Sequence, residues 1–346
     1  MVSVMGKRGL FLVWLCLVSI LPGMAQTEKL IDYVNPFVGT DGYGNVYPGA
    51  QIPFGGIQMS PDTDSKYYDA ASGYKYNHST LLGFSLTHLS GTGIPDLGDF
   101  LFIPGTGEMK LDPGTREEPE KGYRSRYSHE KEWASPNYYA VELSDYGVKA
   151  EMTSGVRSGM FRFTYPQSDK AFIMIDMNHT LWQSCEWANL RMENDSTITG
   201  YKLVKGWGPE RHIYFTATFS KKLTGLRFMQ NKKPVIYNTS RFRSSYEAWG
   251  KNLMACISFD TKAGEEVIVK TAISSVSTNG AKNNMAELAG LTFDDLKAKG
   301  EHYGKKNLEN IPLLPTVKRK EHSIRRLTMR LCIRSSFRMQ TGSFED

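Results

Sequence analysis

The sequence predicts a mainly β protein: a large antiparallel β-sandwich followed by a short helical segment. Two observations carry that expectation. Between Tyr138 and Val276 short alternating or apolar runs recur, at Tyr138–Leu143, Gly159–Tyr165, Ala171–Met177, Thr197–Lys205, His212–Phe219, Leu253–Phe259 and Glu266–Ile273. In the second run, alternation puts Phe161, Phe163 and Tyr165 on one face. Turn signals such as Ser144-Asp145, Tyr146-Gly147 and Pro166-Gln167-Ser168-Asp169 separate the runs, with no helical pattern between them. Strands that follow one another in this way pair antiparallel and pack as two sheets. After Ser277 the texture changes to Ala, Leu, Lys and Glu, which predicts helices over Asn283–Leu291 and Phe293–Leu308. Thr292, with Asp295 three residues on, caps the second of these.

The chain opens with Lys7 and Arg8, the apolar run from Gly9 to Leu21, and the small-residue site Gly23-Met24-Ala25. That run is too short to span a bilayer and has the layout of a secretory signal, residues 1–25, so a periplasmic or secreted protein is expected. Cys16 lies inside the run and is not at a lipidation position. Cys185, Cys256 and Cys332 remain, too few and too scattered for a disulfide scaffold or a metal pair, and are read as small buried hydrophobes. The formal net charge of +6 sits at the two ends: Lys7 and Arg8 in the leader, and eight Lys or Arg against three acids in 316–346. The body is near neutral, which excludes an electrostatic footprint for nucleic acid and suits a neutral ligand such as a sugar.

Function concentrates in the stretch from Asn35 to Asp99. Glycine and proline punctuate it, yet it carries Phe37, Tyr47, Phe54, Tyr68, Tyr74, Tyr76 and Phe84. Rings among residues that permit tight turns predict a rigid loop platform for a ring-shaped ligand. Candidate substrate-binding residues are Tyr68, for stacking; Asp69 beside it, for sugar hydroxyls; His88, at the end of an apolar strand and before Ser90-Gly-Thr-Gly93; and Gly44 and Asn45, on a sharply bent rim loop. His88 also suits a buried role, holding the loop by hydrogen bonds. Asp96 and Asp99 are expected to cap the Gly93-Ile-Pro95 loop. His179, Trp182, Trp187 and Trp207 are read as sandwich core or domain contacts. No Gly-x-Ser-x-Gly elbow is present, and Ser90-Gly-Thr-Gly93 lacks the Lys and the helix of a phosphate loop.

Asn35-Pro-Phe-Val-Gly-Thr40, Tyr47-Pro-Gly-Ala-Gln-Ile-Pro-Phe-Gly55 and Gly83-Phe-Ser-Leu-Thr-His-Leu-Ser-Gly-Thr-Gly93 resemble, in order and spacing, the N-terminal domain of glycoside hydrolase family 92. Those enzymes are calcium-dependent, inverting exo-α-mannosidases. The resemblance continues more loosely through Ser128–Tyr139 and Arg211–Phe215 to about residue 310. Tyr68 departs from it, since the family usually has a Trp before the Asp of its Trp-Asp-x-x-Ser-Gly-Tyr block.

The resemblance implies a galactose-mutarotase-like supersandwich over residues 27–277 and linker helices over 278–312. It also implies a mannose-containing glycan as ligand and an (α/α)₆ catalytic domain that carries the acid, the base and most calcium ligands. On this chain it therefore implies no catalytic residue and no metal ligand. The basic stretch 313–346 matches no bundle pattern and is expected to be aberrant, as a shift of reading frame near residue 315 would produce. Without the barrel, Leu291, Phe293, Leu296, Tyr303 and Leu308 are expected to be partly exposed. A stand-alone, non-catalytic carbohydrate-binding module is the alternative reading.

Overall fold

A computed structural model describes residues 30–65, 68–236 and 247–309. The leader, Cys332 and the basic stretch lie outside the described residues, as do the side chains of Asp69 and Leu308. The fold is an antiparallel two-sheet sandwich. One sheet has seven strands, in spatial order β1 (Ser60–Asp62), β3 (Gly83–Ser85), β4 (Leu101–Thr106), β10 (Ser168–Asp176), β17 (Leu253–Thr261), β14 (Gly225–Gln230) and β15 (Lys233–Pro234). The other has nine: β16 (Glu247–Gly250), β11 (Ser184–Asn194), β12 (Thr197–Lys205), β13 (Arg211–Phe219), β18 (Glu265–Ser274), β9 (Ser158–Tyr165), β8 (Val148–Ser154), β7 (Tyr138–Leu143) and β6 (Glu132–Ser135). A small ribbon pairs β2 (Thr80–Leu81) with β5 (Ser125–Arg126).

The sheets meet through aromatic rings. The Phe102 ring lies tilted 5.0 Å from Phe161, Phe100 4.4 Å from Phe215, and Phe84 6.4 Å from both Phe161 and Phe163. Phe161, Phe163 and Tyr165 are all buried in this core, as their alternation predicts. β10 has no polar side between Ala171 and Ile175, because both of its faces are covered. Ala171, Ile173 and Ile175 enter the main core, whereas Phe172 and Met174 enter a second one beneath Tyr123, Met109 and Leu111. Cys185 and Cys256 are buried free thiols, and burial pushes the Cys256 thiol up to about 12.

The helical segment departs from the expectation. α1 runs Thr278–Asn284, five residues ahead of the predicted start, because Ser277 caps it by accepting a hydrogen bond from Gly280 N at 2.9 Å. A 3₁₀ turn, Met285–Leu288, follows. α2, Phe293–Glu309, has the predicted cap: Thr292 Oγ1 accepts from Asp295 N, and Asp295 Oδ2 accepts from Thr292 N. Phe293 and Leu296, expected to be exposed, are instead buried on Met160 and Leu288 against the outer face of the nine-stranded sheet. The Arg162 guanidinium lies over the Phe293 ring at 4.3 Å. Leu291 is half-buried and Tyr303 exposed. Glu287 ties the segment down further, accepting from Val156 N, Arg157 N and Ser158 Oγ at the β8–β9 turn.

α2 seats Gly300 over the buried Asn137, where an added Cβ would stand 1.8 Å from Asn137 Nδ2. Asn137 is held in turn by Thr153 and Ser154. A Gly→Ala change inside a helix ordinarily stabilises by about 1 kcal/mol. Gly300→Ala is expected to do the reverse and lower the thermal midpoint; a midpoint at or above that of the native chain in calorimetry would refute this docking.

Candidate functional site

Asn35 to Asp99 forms a block of loops fastened to the sandwich by two buried carboxylates. Asp62, on β1, receives His88 Nε2 on Oδ1 at 2.8 Å and His179 Nε2 on Oδ2 at 2.8 Å. His88 also places Nδ1 2.8 Å from the Gln58 carbonyl. Ser85 Oγ also lies 3.1 Å from His88 Nε2, so the ring is held at both nitrogens. Gly73 makes room for this arrangement: its φ is +87°, and a Cβ there would stand 2.0 Å from Asp62 Oδ1.

Asp99 is the second anchor. It receives Arg211 on both oxygens, at 2.6 and 3.1 Å, Thr87 Oγ1 at 2.7 Å, and the fully buried Lys202 Nζ at 3.5 Å. Burial alone would raise both carboxyls. For Asp62 the His88 charge and the hydrogen bonds from both histidines outweigh it, and for Asp99 the charges of Arg211 and Lys202 do, so both stay well below the usual carboxylate range.

The candidate residues fall around this frame. His88 is fully buried beneath the loops, with the Tyr47 ring 5.0 Å away. Gly44 packs so tightly that a Cβ would stand 2.1 Å from Gly39 O. Asn45 has φ +48°, and its carbonyl accepts from Gly91 N at 2.7 Å. The rim loop is thus joined to the loop after His88. Tyr68 opens a 3₁₀ turn, Tyr68–Ala70, and is 63% exposed. That turn connects to the Asp62 anchor through Gly73 N, which donates to Ala70 O.

Not every aromatic belongs to a platform. Tyr47, Tyr74 and Phe84 are buried, and Phe37 is half-buried against the main core, leaving Phe54, Tyr68 and Tyr76 to face outward from that set. Asp96 does cap its loop, accepting from Leu97 N at 2.6 Å, and it also meets Gln183 Nε2. Asp99 is not a cap; it is a buried ion-pair partner of strand β13. Trp182, Trp187 and Trp207 are exposed, which removes the core reading for them and leaves that of a domain contact. Trp182 sits in a left-handed turn, Trp187 follows a β-bulge, and Trp207 lies between two glycines.

Sequence reasoning gave Asp62, Thr87, Lys202 and Arg211 no anchoring role, and it gave His179 no partner. The Asp62–His179 contact spans 117 residues, and no local signal announces it. Among the described residues no group of three His, Cys, Asp or Glu side chains converges as metal ligands.

The architecture is a two-sheet sandwich that carries a pinned, glycine-rich loop face. The family model of the glycosyl hydrolase family 92 N-terminal domain matches residues 33–274, and the chain belongs to that family. It is 84% identical, over 86% of its length, to the family GH92 α-mannosidase BT3965 from Bacteroides thetaiotaomicron, with a TM-score of 0.84. That enzyme has also been solved in complex with mannoimidazole. The GH92 inverting mannosidase BT2199 from Bacteroides thetaiotaomicron VPI-5482 shares the fold, at 23% identity over 88% of this chain with a TM-score of 0.74. An uncharacterized secreted glycosidase of Arthroderma benhamiae is 30% identical over 147 residues, 42% of this chain and 19% of its own. The chain spans 40% of the length of BT3965 and of BT2199. It is thus related to the N-terminal part of a glycoside hydrolase of α-mannosidase type.

The two anchors fix a pH dependence. A depressed carboxyl contributes stability that is fully present above its unfolded value of about 3.9 and is lost as pH falls below that toward the folded value. Urea midpoints should therefore drop steeply below pH about 4, and less steeply for Asp62→Asn. At neutral pH that variant should cost about 3 kcal/mol, the scale of a broken buried pair. Parallel pH profiles of the two proteins would refute the assignment.

Proposed function

We propose that the loop face around Gly44, Asn45, Tyr68, Asp69 and His88 forms one wall of a pocket for a mannose-containing glycan in an exported α-mannosidase. Tyr68 offers the exposed ring for stacking, Asn45 and Asp69 stand at the rim, and His88 positions the loop from beneath. The acid, the base and the calcium ligands come from the part of such an enzyme that follows the sandwich. One observation supports this division of labour: among the described side chains of that stretch Asp62, Asp64, Asp96 and Asp99 are all buried and engaged, Asp64 with Arg116 at 3.5 Å, and the exposed Asp41 accepts from Gly42 N at 2.8 Å. Inverting hydrolysis needs two carboxyl groups about 6.5–9.5 Å apart facing the sugar, one of them able to give up a proton.

Export has the support of the leader-like sequence and of a relative named as a secreted glycosidase. No described helix is long and apolar enough to cross a membrane. N-terminal sequencing of exported protein is expected to begin at Gln26, after removal of 1–25; a chain starting at Met1 would refute this.

The burial of Phe293 and Leu296 favours a second reading, in which the sandwich closes its own core and acts as a stand-alone carbohydrate-binding module. Both readings expect a polypeptide of residues 26–346 to release no mannose from α-mannosides, with or without calcium. Calcium-dependent turnover by that polypeptide would overturn both and return a catalytic role to the loop acids. They part on Tyr68→Ala: weaker mannose binding supports the loop wall, and unchanged binding removes it.

A further inference from the structure

We propose that the cleft at the end of β10 is a second saccharide site, which takes a hexopyranosyl unit by stacking it on Trp182. The proposal rests on the glycan reading above only for the class of sugar, and it does not involve Tyr68. The cleft has a volume of about 910 Å³, within the range of small-ligand sites.

One wall is the turn after β10. Trp182 has φ +71° and is 66% exposed, so a bulky residue is held in a backbone region it rarely adopts with its indole in water. The turn is braced on both sides. Leu181 N donates to Leu97 O at 2.9 Å, and Thr180 Oγ1 donates to Gln183 O at 2.8 Å. The opposite wall is a pair of turns in which Asn252 Nδ2 donates to Asn231 Oδ1 at 2.8 Å and Asn231 N to Asn252 O at 3.1 Å. Asp176 lines the cleft as well; its oxygens hold Tyr123 OH at 3.2 Å and Asn178 N at 2.8 Å and retain acceptor capacity.

This arrangement matches the two sides of a pyranose: a C–H face for the indole, and hydroxyls for carboxamide and carboxylate groups. Asp112 and Asp176 line the cleft with Lys232 as the cation, and Lys232 is already paired to Asp112. A phosphate-bearing ligand therefore finds no net positive field, and an apolar ligand would leave the remaining acceptor capacity of Asp176 without a partner. His179 lines the cleft and holds Asp62, so the cleft is braced by the anchor that fixes the loop block.

The test uses the full chain, α-mannotriose as probe, and calorimetry alongside the indole N–H resonances. Mannotriose is expected to shift the Trp182 resonance. Trp182→Ala should weaken binding about tenfold, the factor that 1.4 kcal/mol produces, while Trp182→Phe retains most of it. Since Trp182 is exposed, the variant should keep the native thermal midpoint. Equal binding by native chain and Trp182→Ala, or no binding by the native chain, overturns the proposal. A loss confined to Tyr68→Ala leaves the loop wall standing and overturns the cleft; a loss confined to Trp182→Ala supports the cleft and removes the loop wall.

Discussion

The Asp62 carboxylate is the contact on which the loop face depends. Asn35 to Asp99 holds many glycines and little regular structure, so its backbone would cost much conformational entropy to fix by local bonds alone. Asp62 fixes it from inside, joining His88 within the block to His179 at the end of β10, a strand at the centre of the seven-stranded sheet. A buried carboxylate with two hydrogen-bonded histidines cannot shift far without stranding a charge in a region of low dielectric. The outer loops take up positions around that point: Gly73 beside the carboxylate, Tyr68–Ala70 one turn away, and Tyr47 on the His88 ring.

Asp99 does the same for the other end of the block, with a different partner set. Arg211 and Lys202 reach it from β13 and β12 of the nine-stranded sheet, so one anchor belongs to each sheet. Lys202 is an inward-facing cation on a strand whose neighbours on that face are apolar, and it is tolerated because Asp99 and the His179 carbonyl receive it. The two anchors also meet through His179, whose ring holds Asp62 and whose carbonyl accepts from Lys202. Loosening either sheet would thus be felt at the loops.

How much of this was legible in the sequence depended on the range of the interaction. The strands that alternate or run apolar were readable, because a half-buried or fully covered strand imposes its pattern on neighbouring residues. β11 was not: register shifts at Cys185/Trp187 and Met192/Asn194 break its alternation. The Thr292–Asp295 cap was legible as a local motif, whereas the docking of α2 on Met160 and Asn137 was not, since it depends on a face formed far away in sequence. The loop stretch stood out by its composition. Its chemistry did not, because Asp62 reads as one more turn acid until β10 folds beside it and brings His179. Trp182 read as core or domain contact from its residue type alone, and the left-handed turn that holds its indole outward has no signal in the sequence.

The anchors also bear on what this domain can contribute. A general acid at neutral pH needs a carboxyl whose pKa is raised, in a dry site facing the leaving oxygen. Asp62 and Asp99 are dry, but the charges beside them push their pKa values the other way, and both side chains are fully enclosed by protein. They are ionised to hold cations and histidines, and a sugar cannot reach them. The same burial that disqualifies them as reactants lets a glycine-rich surface keep one shape. A pocket wall needs that property, since a sugar's hydroxyls are matched by position and a wall that moved would return the binding energy as ordering entropy.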